Sequence, residues 1–121
     1  MTNRAIVHIE IPAANRQDAG KFYADLFGWE IQHMEEMSYT TFKTGDGLGG
    51  GFPDAGGDFA KPDHVLIYID SDDIDADLKK IEAAGGKTVH PKAEIPGFGS
   101  WAAFTDPTGN TIGLYQVEKK S

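Results

Sequence analysis

The sequence contains no cysteine, which excludes a disulfide scaffold, a thiolate zinc site and a cysteine nucleophile. Positive charge is scarce: 11 Lys and Arg stand against 19 Asp and Glu, for a formal net charge of −8. That balance argues against gripping a nucleic-acid backbone, which needs a basic face, and against docking on anionic lipid. No apolar run approaches the roughly 20 residues of a membrane-spanning helix. Residues 1–20 carry Arg4, His8 and Glu10 and lack the apolar core of a signal peptide. A cytoplasmic protein without nucleic-acid or membrane partners is the expectation. Serine is equally sparse, and none of Ser38, Ser71, Ser100 and Ser121 sits in a nucleophile-elbow motif.

What is present is enough for a core. Hydrophobic residues make up 40%, with seven Phe, four Tyr and two Trp, so disorder is not expected. A length of 121 residues points to one domain. Glycine is abundant and uneven. Seven of the 15 glycines fall between Gly45 and Gly57, in GDGLGGGFPDAGG, where backbone must bend or come close to something. The stretch lacks the Gly-Lys-Ser/Thr ending of a phosphate-binding loop, so a glycine-rich strand with room for a ligand is the expectation.

Residues 5–11 alternate polar with β-branched residues and predict a strand ended by Pro12. Asn15, with Asp18 three residues on, predicts a helix start. Ala19, Phe22, Tyr23, Leu26 and Phe27 recur at helical spacing, and Gly28 fits the C-terminal cap. Strands follow at Trp29–Met34, Tyr39–Lys43 and Leu48–Phe52. The second half repeats this order. A strand is expected at Val65–Ile69, then a helix opened by Asp72 and Asp73 with Ile74, Leu78 and Ile81 on one face, ended by Gly85-Gly86. Strands are expected at Lys87–Glu94, Ser100–Phe104 and Thr111–Val117, the last two joined by the turn Asp106-Pro107-Thr108-Gly109-Asn110. The halves align position by position. Adding 56 takes His8 to His64; adding 55 takes Ala19 to Ile74 and Tyr23 to Leu78; adding 62 takes Tyr39 to Trp101, Phe42 to Phe104 and Gly51 to Gly113. An internal duplication of a βαβββ module accounts for this. Module one is expected at about 1–55 and module two at about 62–121, with a seam at Pro53–Pro62 and both modules in one domain, 1–121.

His8 and Phe22-Tyr23 in KFYADLFGW, His64 opening HVLIYID, a helix closing on AAGG, and FTDPTGNTIGLY together resemble the vicinal oxygen chelate superfamily. That superfamily contains glyoxalase I, bleomycin-resistance proteins, fosfomycin-resistance enzymes and extradiol dioxygenases. The resemblance spans nearly the whole chain. It implies an α+β fold in which two βαβββ modules form a curled mixed sheet, a cup with helices outside, and it implies a homodimer. Strand alternation agrees: His8 and Glu10 share a face opposite Val7, Ile9 and Ile11, while His64, Leu66 and Tyr68 share a face opposite Val65, Ile67 and Ile69.

Metal-dependent members of the resembled family take ligands from the first and last strands of each module. The first-strand positions are matched by His8 and His64. The last-strand positions, usually Glu, are Gly51 and Gly113 here and supply no side-chain ligand. Two imidazoles alone make a weak divalent-cation site. Glu10 shares the His8 face and completes a two-histidine, one-carboxylate set, although the two positions lie roughly 6.6 Å apart along the strand. The expectation is therefore a glyoxalase- or bleomycin-resistance-like protein that binds a small organic molecule with no cofactor. The ligand-binding residues would be His8, Glu10, Tyr39, Gly51, His64, Tyr68, Trp101 and Gly113. The alternative is a lyase, isomerase or dioxygenase holding Fe, Mn, Ni or Zn on His8, His64 and Glu10. A metal-free role for one histidine as general base is also open.

Of each aromatic pair, Tyr39 with Phe42 and Trp101 with Phe104, one member is expected in the core and the other on the cup face. Trp29 should anchor the first helix end to the sheet. Phe98, between Gly97 and Gly99, is expected on a mobile rim loop. His33 and His90 are expected on the surface. Asp70, Asp72, Asp73, Asp75 and Asp77 lack the glycine and terminal glutamate of a calcium loop and read as a solvated helix start.

Overall fold

The computed structural model describes residues 4–55 and 64–118. Among these, eight strands and two helices run in the order βαβββ, βαβββ, and the fold is α+β. The seam expected at Pro53–Pro62 lies mostly outside the described residues. The chain divides into two compact units, His8–Leu66 and Met1–Val7 with Ile67–Ser121. The boundary thus falls inside the first strand, β1 (Ile6–Glu10).

In the unit His8–Leu66, the helix α1 (Arg16–Phe27) starts where Asn15 Oδ1 accepts from the Asp18 N–H at 3.0 Å. It stops at Gly28, whose left-handed φ of 73° lets its N–H return to the Ala24 carbonyl. Strands β2 (Glu30–Met34), β3 (Tyr39–Lys43) and β4 (Gly50–Pro53) follow, with a single 3₁₀ turn, Glu35–Met37, between β2 and β3. The strand order is β2-β3-β4-β1, antiparallel except for the parallel β4/β1 pair. The crossover α1 makes that parallel pair possible. One sheet face buries Phe42 and Phe52 with Ala13, and Ile9, Ile11, Ala19, Tyr23, Trp29 and Ile31 pack around them. Trp29 does lie between helix and sheet, stacked on Tyr23 at 4.7 Å and on Phe42 at 4.6 Å between ring centroids. The buried face of α1 is narrower than its spacing predicts. Phe22, Leu26 and Phe27 are exposed, because the sheet beneath reaches only the Ala19–Gly20–Tyr23 side of the helix.

The other unit carries β5 (Leu66–Asp70), α2 (Ile74–Ala83), β6 (Lys87–Ile95), β7 (Gly99–Thr105) and β8 (Thr111–Val117). Its strand order is β5-β8-β7-β6, with β5/β8 parallel and the rest antiparallel. Ile74, Leu78, Ala102, Phe104 and Leu114 form its core. Asp73 caps α2 by accepting from the Ala76 N–H at 3.1 Å. Asp77 departs from the solvated helix start expected of it. It is buried, takes two hydrogen bonds from the Arg4 guanidinium and one from the Ser71 hydroxyl, and so clips the N-terminal segment to α2. In the β7–β8 turn the Asp106 carboxylate accepts from Asn110 and Thr108, which holds its pKa at about 2.

Candidate functional site

Alternation puts His8 and Glu10 of β1 on the face opposite Ile9 and Ile11, and Tyr39 of β3 on the face opposite Phe42. The apolar members enter the core, and the other three meet. The Tyr39 hydroxyl donates to Glu10 Oε2 at 2.8 Å and lies 2.8 Å from His8 Nε2. His8 Nε2 and Glu10 Oε2 are 4.0 Å apart. The His8 and Tyr39 rings are stacked, 19° from parallel with centroids 6.4 Å apart. The cluster is accessible without being open: 32% of the His8 side chain and 19% of the Glu10 side chain are exposed. Burial pushes the His8 imidazole below its ordinary pKa, with the Glu10 charge pulling the other way. Burial thus favours the neutral imidazole.

Gly51 explains how Tyr39 reaches this position. Thr41 pairs with Gly51 and Tyr39 with Pro53 across β3 and β4, so the Tyr39 ring leans diagonally over the glycine. A Cβ at position 51 would clash with the hydroxyl end of that ring, at Cζ, Cε2 and the phenol oxygen. The same device recurs in the other unit. Tyr68 of β5 pairs with Gly113 of β8, and a Cβ at 113 would lie 2.5 Å from Tyr68 Cε2. Each of the two glycine positions at which the family resemblance implies a carboxylate is thus roofed by a tyrosine ring.

In this second unit Trp101 of β7 pairs with Tyr115 of β8 and stacks on His90 of β6, with centroids 4.2 Å apart. Its neighbour in the alternation, Phe104, lies in the core. His90 is therefore a half-buried partner of Trp101 and not the isolated surface residue its sequence context suggests. The register of β6 shifts on both sides of His90, so the pairing that brings it to Trp101 is not written in its local sequence. His33 is exposed but bonded through Nδ1 to Thr40 Oγ1 at 2.8 Å. The Phe98 segment is a fastened turn. Its N–H donates to the Ile95 carbonyl, and its carbonyl accepts from the Glu118 N–H and the Tyr115 hydroxyl. Nothing in sequence spacing signals this tie, because Tyr115 is 17 residues away.

His64 is exposed and precedes β5, which begins at Leu66. Sequence alternation extended the strand face back to His64; the ladder does not reach it. Among the described residues, no group of three or more His, Asp or Glu side chains is arranged to hold a metal ion. The donor set fits a metal poorly for a local reason too. His8 Nε2 is engaged with the Tyr39 hydroxyl, and the glycine positions that would add carboxylates are filled by aromatic rings.

Residues 5–114 match the family model described as the Glyoxalase/Bleomycin resistance protein/Dioxygenase superfamily. A glyoxylase-like domain-containing protein of Didymella fabae is 32% identical over 111 residues, 85% of this chain and 86% of that protein. A putative glyoxylase, CFP32, of Mycobacterium bovis is 29% identical over 122 residues, 92% of this chain. The chain spans only 45% of that relative's length. Methylmalonyl-CoA epimerase from Mycobacterium tuberculosis has a similar fold, with a TM-score of 0.69 at 13% identity over 98% of this chain and 90% of the epimerase.

Proposed function

Starting from the fact that this chain belongs to the Glyoxalase/Bleomycin resistance protein/Dioxygenase superfamily, we propose that it binds a small organic molecule without a complete metal site. The observation that carries this reading is the Tyr39 hydroxyl, bonded to both His8 and Glu10, on a ring that fills the space above Gly51. A Glu side chain at position 51 would have to displace that ring. The polar cluster then serves as a hydrogen-bonding end for a ligand, with a neutral imidazole, a phenol and a carboxylate in one contiguous patch. Tyr68, Gly113 and Trp101 are proposed as ligand contacts of the other unit; Tyr68 and Gly113 are buried, so half-buried Trp101 offers the accessible aromatic surface. The net charge of −8 favours a neutral or cationic molecule over an anion, in keeping with the bleomycin-resistance side of the family.

The metal-dependent alternative would have a lyase, isomerase or dioxygenase use Fe, Mn, Ni or Zn on His8, His64 and Glu10. It is supported by family membership and opposed by the donor set. A homodimer belongs to the same proposal: β2 and β6 end the strand order of their units, and such edges invite pairing or cover.

The test is a thermal-shift screen of aromatic and cationic small molecules, run with and without EDTA. A ligand that raises Tm equally in both conditions and fails to do so in Tyr39→Ala supports the proposal. A ligand whose effect disappears with EDTA and returns with added metal overturns it.

A further inference from the structure

We propose that Tyr39 is a positioning residue that fixes the tautomer of His8, placing the ring proton on Nε2 and the basic lone pair on Nδ1. A phenol has a single hydrogen to donate. In this cluster the hydrogen goes to Glu10 Oε2, 2.8 Å away, and an ionised carboxylate only accepts. The phenol oxygen therefore meets His8 Nε2, also at 2.8 Å, as an acceptor, and Nε2 must be the donor. A neutral imidazole has one N–H, so Nδ1 carries the lone pair. The opposite arrangement, with Tyr39 donating to Nε2, would leave its oxygen facing a carboxylate oxygen at 2.8 Å with no hydrogen between them. The ring cannot easily turn away, because it is seated over Gly51 and stacked against His8.

Two consequences follow. On the side shared with Glu10, His8 then presents an N–H and not the Nε2 lone pair that an ion bound there with the carboxylate would need. Any group that meets Nδ1 must be a hydrogen-bond donor, which selects for hydroxyl, amine or amide groups over carbonyls and carboxylates. The second consequence rests on the proposed binding role, whereas the tautomer itself is read in the protein without ligand. The two ideas can therefore fail separately.

The experiment is a long-range proton–nitrogen NMR spectrum of ¹⁵N-histidine-labelled protein at about pH 8, where imidazole is neutral. The His8 signals are assigned by their loss in His8→Gln. The wild-type protein is expected to show His8 with a protonated Nε2 and a pyridine-type Nδ1. Tyr39→Phe keeps the ring over Gly51 and deletes the hydroxyl, and it is expected to give a mixture of tautomers. A wild-type His8 protonated on Nδ1 overturns the proposal, a result that needs no variant to fold. So does a Tyr39→Phe protein, folded by its amide spectrum, in which the Nε2–H form stays as fully populated as before.

Discussion

Gly51 and Gly113 are the residues on which the reading of this protein turns. Both stand where the resemblance to the vicinal oxygen chelate superfamily implies a metal-binding carboxylate. What fills the space was not visible. Tyr39 reaches Gly51 diagonally, from the position paired with Pro53, whereas Tyr68 lies directly opposite Gly113. Such contacts depend on cross-strand register, which a single sequence does not carry. Alternation puts His8 and Glu10 on one face and Tyr39 opposite Phe42, but it shows neither which of that pair faces the core nor that one hydroxyl joins the other three. Substituting Gly51→Ala should push the Tyr39 ring from Glu10 and His8, with an overpacking cost of about 1–3 kcal/mol. Urea denaturation checks the stability, and the histidine NMR spectrum should show His8 disturbed in the same variant.

At the scale of elements, strong local signals survived and tertiary ones did not. Asn15, Gly28 and Asp73 cap their helices because caps are written in adjacent residues. The buried face of α1 is narrower than the stripe of apolar residues, since spacing gives a face but not how far the sheet beneath extends. His64 fell outside β5 and His90 fell beside a bulge for the same reason: strand ends and register shifts are set by pairing. Asp77 was read as a solvated helix residue because its partner, Arg4, is 73 residues away. That pair predicts a pH dependence. The Arg4 hydrogen bond comes first among the causes that hold the Asp77 carboxyl below the ordinary carboxylate range, with burial opposing. A depressed folded-state pKa adds stability above the unfolded value, roughly pH 3.9, and loses it as pH falls through the folded value. Arg4→Ala should therefore lower Tm at neutral pH, and the gap from wild type should narrow as pH falls from neutral through the depressed folded-state pKa of Asp77. A series of thermal melts across that range checks it, and a constant gap would contradict it.

At the scale of the molecule, the α+β class and the doubled βαβββ order were legible because the same order of strand and helix signals occurs in both halves. The division of the chain was less so, since residues up to Val7 group with the second half and not the first. The proposed homodimer predicts a sedimentation-equilibrium mass of twice the 13.1 kDa chain, and a single-chain mass at all concentrations would contradict it. The central claim is that the chain's histidines and glycines leave no complete metal site and that its ligand chemistry is organic. Elemental analysis of protein purified without chelator or a histidine tag tests this most directly. The account predicts less than stoichiometric Fe, Mn, Ni and Zn, unchanged in His8→Ala. One metal ion per chain in the wild type, lost in His8→Ala or His64→Ala, would contradict it.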